Sequence, residues 1–75
     1  MEVSLAKLQE IFRSALDEPV ELTMDTDRNS LESWDSINHL NLIVELEDQL
    51  KVSLTKDEIE HLDSVSQILK ILKDK

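Results

Sequence analysis

With 75 residues the chain has room for one small domain around a modest core. Hydrophobic residues make up 40% of it, all aliphatic apart from Phe12 and Trp34, and with no glycine and one proline it lacks the turn residues an all-β fold needs. A net charge of -9 excludes nucleic acid and anionic membrane surfaces as partners and selects basic ones, while the absence of cysteine excludes disulfides, thiolate chemistry and Cys-rich zinc sites.

The first predicted helix runs from about residue 3 to 16, where Leu5, Leu8, Phe12 and Ala15 recur at helical spacing. A connection of about nineteen residues follows, "DEPVELTMDTDRNSLESWD", which is longer than compact domains normally spend without a functional reason. Val20, Leu22, Met24, Leu31 and Trp34 are scattered through it, so some of them should pin it along the bundle. The second helix, 36 to 50, is entered through Asp35 or Ser36 and ends near Lys51. Thr55 and Glu58 have capping-box spacing ahead of a short third helix over 56 to 61, which has Ile59 and Leu62 to bury. Ser64 and Gln67 open a fourth, over 65 to 73, presenting Val65, Ile68, Leu69 and Leu72 on one face. The expected fold is an all-α, small four-helix bundle with a long first loop and a short third helix, one domain over residues 1–75.

The second helix is unusual in carrying two apolar stripes. At about 100° per residue, Leu42, Leu46, Leu50 and Ile43 share one arc suited to the core. Ile37, Leu40 and Val44 form a second, narrower stripe beside Glu47, Asp48 and Asn41. Either the loop or the third helix covers that stripe, or it docks a basic partner. His39 falls in the core arc as a gap-filling residue. Ser36 lies between the stripes at the helix start, and with Asp35 able to cap the helix it is free to point outward.

Other chemistries are poorly supported. Ser36, Asp35 and His39 on one helical turn do not make a catalytic triad, which needs an acid behind the base and an oxyanion hole. Asp25, Asp27 and Asn29 match the first three ligands of a calcium loop, but Ser30 and Ser36 stand where its glycine and bidentate glutamate belong. Two histidines twenty-two residues apart offer no zinc site. No catalytic residues and no metal site are expected. The start "MEVSLAKLQEIF" lacks signal-peptide features and no apolar run could span a membrane, so a cytoplasmic monomer is expected.

The stretch "WDSINHLNLIVELEDQLKVSL", with the long preceding loop, the short third helix and the acidic balance, resembles the acyl carrier proteins over essentially the whole chain. Asp35-Ser36-Ile37 falls on the family's Asp-Ser-Leu attachment motif, and Leu42, Leu46, Glu47 and Leu50 on its second-helix pattern. The resemblance implies that a phosphopantetheinyl transferase, using coenzyme A and Mg²⁺, attaches 4′-phosphopantetheine to Ser36, and that acyl groups are carried as thioesters on its thiol. A phosphodiester there would suit the positive end of a helix. It further implies docking to basic patches of acyl-processing enzymes through Asp35, Ile37, Leu40, Val44, Glu45, Glu47 and Asp48. Ser33-Trp34 replaces the glycine-containing pair usual before the motif in fatty acid synthesis, and tryptophan there is similar to free-standing carriers of specialised pathways. A carrier for fatty acid, polyketide or related lipid biosynthesis is therefore expected, with an aminoacyl, peptidyl or D-alanyl carrier, or an unmodified helical adaptor, as alternatives.

Overall fold

The computed structural model describes residues 2–75. Four helices follow in order, α1 (Leu5–Leu16), α2 (Ser36–Leu50), α3 (Lys56–Glu60) and α4 (Val65–Lys73). Each is opened by a side-chain oxygen that satisfies one of the backbone N–H groups a helix start leaves open. Ser4 accepts from the Lys7 N–H at 3.1 Å, which is why α1 begins at Leu5 rather than residue 3. The Thr55–Glu58 capping box closes in both directions, and Ser64 accepts from the Gln67 N–H at 3.2 Å. α3 stops at Glu60, one residue short of the expected end.

Without glycine, the chain leaves α1 and α2 through Asp17 (φ 54°) and Lys51 (φ 56°), both in the left-handed conformation that terminates helices. α1 and α2 are the closest-packed pair of helices. Their inner faces, carrying Leu8, Ile11, Phe12, Leu42 and Leu46, meet Leu62, Val65, Ile68 and Leu72 in one fully buried core. Ile59 and Leu69 pack at its edge.

The long loop is fastened along its length. Arg13 donates through Nε to the Val20 carbonyl at 2.9 Å, and the Leu22 N–H donates to Gln9 Oε1 at 2.8 Å, so two α1 side chains hold its first part. Val20, Leu22 and Trp34 are buried and Leu31 partly so, whereas Met24 remains 52% exposed. Further on, the Val65 N–H donates to the Thr26 carbonyl and the Arg28 N–H to the Asp63 carbonyl, an isolated antiparallel bridge pairing Asp27 with Ser64. The loop is thereby stitched to the turn between α3 and α4, and Thr26 is buried beneath it.

Candidate functional site

The start of α2 is held from three directions. Asp35 is the N-cap, its Oδ1 accepting from the Asn38 N–H at 2.9 Å. The Asn38 side-chain amide donates back to the Ser33 carbonyl at 2.7 Å, fixing the angle at which the loop enters the helix. Trp34 turns inward, and its indole Nε1–H donates to His39 Nδ1 at 3.0 Å. Ser36 is the first helical residue and is exposed. Its hydroxyl stands beside the first-turn N–H groups, which in any α-helix lack intrahelical partners.

His39 is buried and fully engaged. The indole N–H can only donate and the Ile59 carbonyl, 3.1 Å from His39 Nε2, can only accept. The imidazole is therefore the neutral tautomer with its proton on Nε2. The two rings lie 23° from coplanar with centroids 6.2 Å apart, as an in-plane N–H···N bond requires, and the indole meets Phe12 edge-on at 5.0 Å. Removing either polar partner would strand a buried donor or acceptor, at a cost of about 1–3 kcal/mol. With both ring nitrogens committed to other partners, His39 gives Ser36 no base.

Around Ser36 the α2 surface divides as the helical wheel does. Ile37, Leu40 and Val44 are 73%, 63% and 64% exposed, so neither the loop nor α3 covers that stripe. Asp35, Asn41 and Asp48 are exposed beside it. Glu45 and Glu47 are placed differently. Glu45 accepts from the Gln49 side chain at 2.6 Å, on the side where Lys7 of α1 reaches Gln49. Glu47 is half-buried and accepts the Leu54 N–H through Oε2 at 3.0 Å. The two acids thus serve the fold before they can serve a partner. Of the calcium-like residues, Asp27 is also spent locally, its Oδ1 accepting from the Ser30 N–H at 2.9 Å. Among the described residues no group of three or more His, Cys, Asp or Glu is arranged to hold a metal.

A family model described as a phosphopantetheine attachment site matches residues 6–72. The chain belongs to that family: it is a carrier rather than an enzyme, and its prosthetic group is covalently bound 4′-phosphopantetheine. More particularly, it is similar to a holo acyl carrier protein from Geobacter metallireducens solved by solution NMR, with 35% identity, a TM-score of 0.84, and coverage of 95% of this chain and 83% of that one. The role is that of an acyl carrier, with acyl cargo and enzyme partners. No match is found among curated proteins. Among the described residues no helix is long and apolar enough to cross a membrane.

The residues at the start of α2 fit the prosthetic group. An exposed hydroxyl takes a phosphodiester without displacing a core side chain, and the helix end favours the anion.

Proposed function

We propose that Ser36 is the attachment residue and that the chain acts as a single carrier domain, delivering acyl groups to enzymes of fatty acid, polyketide or related lipid biosynthesis. The observation that carries this reading is the exposed Ser36 hydroxyl at the first position of α2, immediately behind an Asp35 cap that leaves it unencumbered. Once attached, the group supplies a terminal thiol for thioester formation, which a chain without cysteine cannot provide itself.

Docking follows from the exposed stripe. Ile37, Leu40 and Val44 bury against a partner, while Asp35 and Asp48 meet its basic side chains. Glu45 and Glu47, tied to Gln49 and Leu54, add to the long-range field that steers encounter rather than to the contact.

Incubation with coenzyme A, Mg²⁺ and a broad-specificity phosphopantetheinyl transferase, followed by intact mass measurement, tests the assignment. The wild type gains one phosphopantetheinyl group and Ser36→Ala none. An unmodified wild type, or a modified alanine variant, overturns it.

A further inference from the structure

We propose that the Trp34–His39–Ile59 hydrogen-bonded chain bolts α3 to α2 beside the attachment serine, so that cargo stays outside the bundle and the carrier serves short or polar acyl groups. The inference rests on the carrier reading above and names its substrate class. His39 lies three residues along α2 from Ser36, about 4.5 Å of helix rise. An aliphatic chain tethered at Ser36 and seeking the core through the α2–α3 seam meets this bolt first.

Each part of the bolt resists entry. The His39 Nε2–H grips the Ile59 carbonyl in the last turn of α3, so parting the two helices leaves the imidazole N–H of a buried side chain without its acceptor, while the carbonyl keeps the Leu62 N–H. Behind it the indole is held by His39 on one side and packed edge-on to Phe12 on the other, occupying the space beneath the helix start. Methylene groups cannot satisfy the freed imidazole N–H. Beyond the indole, the fully buried Leu8, Ile11 and Phe12 of the closely packed α1 fill the space against α2. A cargo kept in water is well tolerated when it is short or polar and poorly when it is a long alkyl chain.

The test loads the protein with acetyl, octanoyl or hexadecanoyl groups by transferase from the corresponding coenzyme A thioesters, each confirmed by intact mass. Trp34 is the chain's one tryptophan, so its indole N–H gives a single NMR signal that reports the bolt. In the wild type that signal holds its position under all three loads, and hydroxylamine cleaves the three thioesters at rates within about twofold of one another. His39→Leu, which removes both polar ring atoms, makes the hexadecanoyl thioester about tenfold slower to cleave than the acetyl one. His39→Gln, which keeps an acceptor and a donor, behaves as the wild type. Should His39→Leu not fold, the wild-type series decides. Tenfold protection of the octanoyl or hexadecanoyl thioester in the wild type, with a displaced indole signal, overturns the bolt while leaving the carrier reading intact. Failure of loading shows first as a missing mass and overturns both.

Discussion

Glu47 on α2 accepts the backbone N–H of Leu54 at 3.0 Å, joining the last turn of the long helix to the segment that leads into α3. A half-buried carboxylate with a backbone donor is a structural group, and its loss should register in stability before it registers in binding. Glu47→Ala is expected to lower stability by about 1–2 kcal/mol in urea denaturation, with Glu47→Gln closer to the wild type because an amide oxygen still accepts. Asp48→Ala should leave stability within about 0.5 kcal/mol yet weaken transferase binding. Equal stability losses for Glu47→Ala and Asp48→Ala would remove the distinction.

The exposed stripe makes an opposite pair of expectations. Leu40→Arg and Val44→Arg should keep the far-UV circular dichroism and thermal midpoint close to wild type, because both side chains already face water. Transferase affinity should fall by about tenfold or more, as expected where an apolar anchor is replaced by a charge facing a basic patch. Raising salt should weaken the wild-type encounter too. Unfolding of either variant would place the stripe in the core instead.

Asp35 is expected to behave as a cap. Asp35→Ala should cost about 1 kcal/mol, and Asp35→Asn much less, since asparagine caps about as well. If alanine and asparagine prove equally harmful in thermal unfolding, charge rather than capping is the larger contribution.

Acid sensitivity has a definite source at the C-terminal end. The Lys75 ammonium, 2.6 Å from Glu58 Oε1, holds the Glu58 carboxyl below its ordinary 4.5, and the Thr55 backbone N–H lowers it further. The unfolded chain binds this proton at higher pH than the folded one. The contribution to stability is therefore fully present above the ordinary value and is lost as pH falls through the lowered one. Urea midpoints measured from pH 6 down to about pH 3 should decline less steeply for Glu58→Gln than for the wild type, and added salt should narrow the gap because the pair lies at the surface. Parallel profiles would dismiss the pair as a source.

Helix number, order and caps were legible in the sequence because periodicity and capping are local signals. Asp35, Thr55 and Ser64 all cap as their spacing predicts. The wheel also separated the exposed stripe from the core and placed His39 inward. What it could not supply were His39's partners, since Ile59 lies twenty residues away and a backbone carbonyl has no side-chain signature. The Asp27–Ser64 bridge was invisible for the same reason, and with it the burial of Thr26. Glu45 is a different case. At about 180° on the wheel from Ser36 it already stood off the stripe, and the family pattern grouped it with the docking acids regardless.

Asp17 and Lys51, the two left-handed residues at which α1 and α2 end, are stability left unclaimed. Any side chain with a Cβ is disfavoured there, and both residues are exposed, so neither contributes packing to offset the strain. Glycine at either position would relieve it. An engineer seeking a sturdier carrier would thus begin at the two helix exits, neither of which belongs to the serine or its stripe, and would leave the surface that partners read untouched.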